Sequence, residues 1–262
     1  MPRIVWADAA GAKIRILVYE GGDCGTVVFV HGLGGRAESW HRQARHVEAQ
    51  GYTGIALDLR GFGASPRPAT PPTLDDFTLD VAAALDSIGA ESAHIVGSSM
   101  GGLVALRFYA LQPYRVESLL LADTYYRLRP RVELLRRAAG GDRAALEALA
   151  RGITPPGGRL EDAIMYLASQ DLEYMALVAE AISREDLSWV LSLIRVPVTV
   201  AVGEHDVLTP PEAARELASR ISGARLVVVP GAGHLSHIDR PDAFNRILDE
   251  HLSWAGSCDR PS

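Results

Sequence analysis

Cysteine is scarce in this chain. Cys24 and Cys258 are the two among 262 residues, and their separation suggests neither a disulfide framework nor a zinc site. A reducing, cytoplasmic compartment is therefore expected. Long apolar runs are missing as well. No window approaches about 18 uncharged apolar residues, so neither a membrane span nor a membrane partner is expected. The opening residues Met1-Pro2-Arg3-Ile4-Val5-Trp6-Ala7-Asp8 lack the apolar stretch of a signal peptide. Positive charge is not in excess: 26 Lys and Arg against 32 Asp and Glu give a formal net charge of −6, which argues against a nucleic-acid partner. The sequence has no internal repeat and no low-complexity tract.

What the chain does have is apolar material. A hydrophobic content of 48% supports one large core, or one core with an inserted lid. Short apolar runs alternate with longer helical patterns, which predicts an α/β fold with a mostly parallel sheet. Strands are expected at Ile14 to Tyr19, Thr26 to Val30, Gly54 to Leu57, His94 to Val96, Ser118 to Ala122, Val198 to Val202 and Arg225 to Val229. Helices are expected at Ser39 to Ala49, Asp75 to Ile88, Met100 to Leu111, Pro211 to Ile221 and Pro241 to His251. From Asp123 to Arg195 no strand pattern occurs, while Leu and Ala recur at helical spacing in Val132 to Ala150 and Leu160 to Ile182. The reading is a core of residues 1–122 and 196–262 with a helical cap, 123–195, over the C-terminal strand edge, where open α/β sheets place ligands. Gly256 to Ser262 reads as a frayed tail.

The segment Gly97-Ser98-Ser99-Met100-Gly101 lies between a strand and a helix. Its G-x-S-x-G pattern is that of a nucleophile elbow, a sharp turn in which a side chain at either flank would clash. Ser99 is the candidate nucleophile. A serine hydroxyl needs a base, and His234, in the glycine-punctuated loop after Arg225 to Val229, is the candidate. His237 is the competitor and reads as a structural hydrogen-bonder. Asp206, after Val198 to Val202, is the candidate acid that orients the histidine. Glu204 and Asp123 are alternatives, with Asp123 read as a helix N-cap. His31-Gly32-Leu33-Gly34-Gly35 follows Thr26 to Val30, so the backbone N–H groups of Leu33 and Met100 are the candidate oxyanion donors. His31 is expected to hydrogen-bond within that loop.

These segments resemble the α/β-hydrolase superfamily everywhere but in the cap. Phe29-Val30-His31-Gly32-Leu33-Gly34-Gly35 with Trp40 is similar to its oxyanion loop, and Asp58-Leu59-Arg60-Gly61-Phe62-Gly63-Ala64-Ser65 to its D-x-R-G-x-G-x-S turn. Val96 to Gly102 is similar to the elbow, and Gly203-Glu204-His205-Asp206 and Gly233-His234 to the acid and histidine segments. Ser99 at the elbow argues against the aspartate-nucleophile relatives. Val229 to His237, with Arg240 to Asn245, resembles the 3-oxoadipate enol-lactonase-like and small serine esterase branch. The resemblance implies a cofactor-free, metal-free serine hydrolase acting on an ester or lactone of a small to medium organic acid; a monomer or homodimer is expected. Its rivals are C–C bond hydrolysis, perhydrolysis or a lyase step by the same triad, and a hydrolase-fold binding protein with little turnover. Trp40, Tyr125, Tyr126, Arg127, Tyr166 and Trp189 are the residues offered to the substrate, Arg127 with Arg129 and Arg131 as partners for a carboxylate. An acidic limb near pH 6 to 7 follows if the His234 pKa stays near that of free histidine.

Overall fold

The structure, a computed structural model, describes residues 1–256 and Cys258. Among them, β1 (Arg3–Ala9), β2 (Ala12–Tyr19), β3 (Thr26–Val30), β4 (Thr53–Leu57), β5 (Ala93–Ser98), β6 (Val116–Ala122), β7 (Val198–Gly203) and β8 (Arg225–Val229) form one sheet. Their spatial order is β1-β2-β4-β3-β5-β6-β7-β8. The β1–β2 and β2–β4 pairs are antiparallel and every other pair is parallel. The expected strands are all present, but β1 carries no expectation. It is an edge strand whose Ile4 and Trp6 stay half exposed, so its alternation is too weak to read against the buried runs.

Helices α1 (His41–Ala49), α2 (Leu74–Asp86), α3 (Met100–Leu111), α9 (Pro211–Ser219) and α11 (Pro241–Ala255) cover both faces, and the short α10 (Ser236–Asp239) precedes α11. Strand β3 shows why both faces must be covered. Val28 and Val30 join Ile55, Leu57 and Ile95 in one apolar cluster, whereas Val27 and Phe29 join Trp40, Val96 and Phe244 in the other. A period of two sends alternate side chains to opposite faces, and a run apolar throughout is stable only between two helical layers.

Between β6 and β7 the chain forms α4 (Val132–Ala139), α5 (Arg143–Ile153), α6 (Leu160–Ala168), α7 (Leu172–Ile182) and α8 (Ser188–Leu191). The periodic stretch 132–150 is thus two helices. They break at Gly140-Gly141, where Gly141 takes a left-handed φ of 89° and Asp142 caps α5 by accepting the Ala145 N–H at 3.1 Å.

Cys24 and Cys258 form a disulfide, with an S–S distance of 2.01 Å, contrary to the expectation from their spacing. Separation along the chain was the wrong measure. Helix α11 packs beside α1, with His46 Nε2 2.8 Å from Asp249 Oδ1, and carries Cys258 back to the β2–β3 loop. The bonded pair removes the ground for a reducing compartment. Of the expected tail, Gly256 ends α11 with a φ of 79°; the rest, apart from Cys258, lies outside the described residues. No helix among them is long and apolar enough to cross a membrane.

Candidate active site

Ser99 stands between β5 and α3 with φ 54° and ψ −118°, a conformation strained for any residue with a Cβ. The flanking glycines make that turn possible. A Cβ on Gly97 would lie 2.3 Å from the Gly101 carbonyl oxygen, and one on Gly101 would lie 2.2 Å from that of Val30. The turn is held from outside: Ser99 N–H donates to Ala122 C=O at 2.9 Å, and Thr124 Oγ1 donates to Ser99 C=O at 2.6 Å.

The Ser99 hydroxyl is 3.0 Å from His234 Nε2, and His234 Nδ1 is 2.9 Å from Asp206 Oδ2. Asp206 is anchored in turn by the Leu208 and Thr209 amides, at 2.8 and 3.0 Å, and by the Thr209 hydroxyl at 2.7 Å. Burial would raise the Asp206 pKa, but the His234 hydrogen bond and charge and the Thr209 donors hold it below the usual carboxylate value. Burial would lower that of His234; the Asp206 hydrogen bond and charge, with Asp123 and Asp239, raise it above the ordinary histidine value instead. The imidazole pKa therefore moves upward from the free value on which the expected acidic limb was conditioned. Glu204 is exposed and accepts the Gly231 N–H at 2.9 Å, away from this chain of contacts.

The loop after β3 faces Ser99. A Cβ on Gly32 would lie 3.1 Å from Ser99 Cβ and 3.7 Å from its Oγ, so glycine is what lets this backbone approach. Leu33 and Met100 line the same cavity as Ser99, and Met100 begins α3, where amides lack helical partners. His31 holds the loop, with Nδ1 2.7 Å from Gly32 C=O and Nε2 accepting the Leu59 N–H at 3.1 Å. The 58–65 turn supports it from behind. Buried Asp58 accepts the Ala37 amide at 2.7 Å, the Ala64 amide at 2.8 Å and Arg15 Nε at 2.7 Å.

A cavity of about 680 Å³ opens above Ser99, walled by this loop and by side chains of α4 to α7. Tyr166 lines it and donates its hydroxyl to Gly34 C=O at 2.6 Å. The other residues offered to the substrate lie elsewhere. Trp40 is fully buried behind the wall, stacked on His237 with ring centroids 3.9 Å apart. Tyr125 and Tyr126 turn their hydroxyls to Glu216 on α9. The Arg127 guanidinium lies 5.4 Å from the Tyr126 ring centroid and 3.6 Å from Asp186. Trp189 projects from α8, half exposed. The wall is made instead by residues the sequence did not single out, among them Leu128, Leu135, Leu149, Ile153 and Ile182. A helical stripe marks them as apolar but does not separate a cavity-facing leucine from a core-facing one.

Two further expectations change. His237 is not a hydrogen-bonder through its ring: Nδ1 has no partner among the described residues, and burial pushes its pKa down to about 3. Asp123 is not a helix N-cap, since α4 begins only at Val132. Its φ is 49°, and its buried carboxylate accepts the Gly203 amide at 2.9 Å and the Ser236 amide and hydroxyl at 3.0 and 2.6 Å. Burial pushes its pKa up to about 7.

A second serine–histidine contact lies at the opposite end of β6. Ser118 Oγ is 2.7 Å from both His94 Nδ1 and His251 Nε2, and Thr199 Oγ1 is 2.9 Å from His251 Nδ1. Ser118 is fully buried, no carboxylate among the described residues touches His251, and of this set Glu117 reaches only His94, at 3.2 Å, so it is a packing network with no access for a substrate.

The profile of the alpha/beta hydrolase family matches residues 27–247. The chain is 30% identical to 3-oxoadipate enol-lactonase 2 of Acinetobacter baylyi, over 95% of this chain and 97% of that one. Among solved structures, the enol-lactonase from Burkholderia xenovorans LB400 matches with a TM-score of 0.85 at 28% identity, covering 95% of this chain and 100% of the other. A thermophilic esterase from Thermogutta terrifontis, solved with malate bound, matches at 0.83 and 26%, covering 97% and 99%.

Proposed function

The chain belongs to the alpha/beta hydrolase family, and on that premise we propose that it is a serine hydrolase cleaving an ester or lactone of a small to medium organic acid. One observation carries the reading: Ser99, His234 and Asp206 are linked by contacts of 3.0 and 2.9 Å whose serine end lines the cavity. The enol-lactonase and esterase likenesses support the choice of carbonyl substrate.

Ser99 Oγ attacks the carbonyl carbon while His234 Nε2 takes its proton. Asp206 accepts from His234 Nδ1–H, fixing the tautomer and stabilising the imidazolium. The Leu33 and Met100 amides hold the oxyanion of the tetrahedral intermediate. Collapse expels the alkoxide, protonated by His234, and leaves the acyl group on Ser99. Water, deprotonated by the same imidazole, then releases the acid. Residues 123–195 act as a cap that shapes the substrate cavity.

Hydrolysis of p-nitrophenyl esters and simple lactones by the purified protein tests this, with Ser99→Ala alongside. The expected loss in kcat is on the order of 10⁴ to 10⁶. An unchanged rate in Ser99→Ala rejects the proposal.

A further inference from the structure

The cavity above Ser99 keeps its hydroxyls occupied, while His237, which also lines it, has a ring Nδ1 with no partner among the described residues. Apart from Ser99, the hydroxyls in its wall donate to protein acceptors: Ser39 to Arg36 C=O at 2.7 Å, Thr154 to Ala150 C=O at 2.8 Å, Tyr166 to Gly34 C=O at 2.6 Å and Thr209 to Asp206 at 2.7 Å. Between them the wall is aliphatic, with Leu135, Leu149, Ile153, Leu167 and Ile182 from the inserted helices, and Tyr166 is its one Phe, Tyr or Trp among the described residues.

The charged side chains that line the cavity are exposed, apart from half-buried Asp239, and most already hold a protein partner. Arg129 donates to Ser183 C=O at 2.6 Å, Arg131 to Ala148 C=O at 3.3 Å, and Arg159 lies 3.8 Å from Asp162. Glu38 accepts from Arg15 at 2.6 Å, and Asp239 accepts the Gly233 amide at 2.8 Å. Arg36, the remaining rim cation, is exposed. A carboxylate carried deep into this space would lose its hydration and find aliphatic carbon, a costly exchange. A neutral alkyl chain would lose only unfavourable contact with water. The volume of about 680 Å³ matches the liquid volume of roughly 20 water molecules, far more than an acetyl group fills.

Resting on the serine-hydrolase reading above, we infer that the acyl group this cavity selects is a neutral aliphatic chain of roughly six to ten carbons, a size within the range such pockets enclose. Short acyl groups leave the aliphatic wall wet, and chains ending in a carboxylate leave that charge unpaired.

The test uses the full-length protein and p-nitrophenyl esters from acetate to laurate, with the p-nitrophenyl monoester of octanedioic acid as the charged match for octanoate. The expected result is a rise in kcat/KM of about fourfold per methylene over the first additions, with an optimum between hexanoate and decanoate. The octanedioate monoester should be slower than octanoate by at least about 30-fold, because its charge must pass the exposed arginines into aliphatic surroundings. Leu149→Trp, which fills the chamber, should move the optimum to shorter chains. Acetate turned over as fast as octanoate, or octanedioate preferred, overturns the inference while leaving a serine hydrolase. No ester turned over, together with no fluorophosphonate label on Ser99, removes the hydrolase reading and this inference with it.

Discussion

Asp123 holds Ser236 through two hydrogen bonds, its carboxylate accepting the amide at 3.0 Å and the hydroxyl at 2.6 Å. Ser236 begins the short helix Ser236–Asp239, two residues after His234. The other Asp123 oxygen takes the amide of Gly203, at the end of the strand that leads to Asp206. One fully buried carboxylate therefore ties together the two segments that present the candidate base and acid. Its charge also acts on the imidazole, together with those of Asp206 and Asp239.

That arrangement predicts a pH profile. His234 must be neutral to accept the Ser99 proton, and its pKa is raised, so activity should be lost on acidification at a higher pH than a free histidine would give. Asp123, whose own pKa burial pushes up to about 7, adds its negative charge to the imidazole only where it is ionised, and Asp123→Asn removes that contribution. The acidic limb of kcat/KM should then move to lower pH, partially, because Asp206 and Asp239 remain. A limb that stays in place in the variant would show that Asp123 acts on the fold alone.

Tyr166 joins α6 to the loop facing Ser99 by donating to Gly34 C=O. Tyr166→Phe keeps the ring in the wall and removes that bond. The loss of one such hydrogen bond is worth about 0.5–1.5 kcal/mol. If the bond positions the oxyanion donors, kcat should fall by up to about 10-fold with KM little changed. A rise in KM with kcat intact would assign Tyr166 to substrate binding instead.

The buried network at the far end of β6 predicts a stability difference. Burial pushes the His251 pKa down to about 3. Between pH 6.5 and 3 the unfolded chain takes up a proton there that the native state refuses, so this group removes about 1.4 kcal/mol of stability per pH unit as pH falls. His251→Asn lacks that proton. At pH 8 it should be less stable than the parent by about 1–3 kcal/mol, through the hydrogen bonds lost to Ser118, which keeps His94, and to Thr199. By pH 5 the gap should narrow by about 2 kcal/mol in urea unfolding. A gap independent of pH would contradict the assignment of His251 as a neutral, buried ring.

Much of the architecture is legible in the sequence because it depends on local features. Gly97 and Gly101 announce a turn that only small residues allow, and apolar runs such as Thr26 to Val30 announce strands covered on both faces. The elements of the sheet core fall where those patterns predict. What escapes is set by tertiary direction. Tyr125, Tyr126 and Arg127 stand next to Leu128 in the chain, yet only Leu128 lines the cavity, while the tyrosines turn to Glu216. Residue type made Trp40 a plausible substrate contact; packing against His237 and Phe244 makes it part of the core. Asp123 resembles an N-cap in sequence because it follows a strand and precedes a helical region. The long loop before Val132 frees it to bond across the sheet instead. The Cys24–Cys258 bond depends on where α11 ends, which no local pattern encodes.

The central claim is that Ser99 becomes acylated. Mixing the protein with a p-nitrophenyl ester and quenching in acid within milliseconds, followed by mass spectrometry of the peptides, measures this directly. The account predicts a mass increase equal to the acyl group on the peptide carrying Ser99, a burst of p-nitrophenol matching it, and neither in Ser99→Ala. Turnover of the same ester with no acyl group on Ser99, or with the group on another residue, would contradict it.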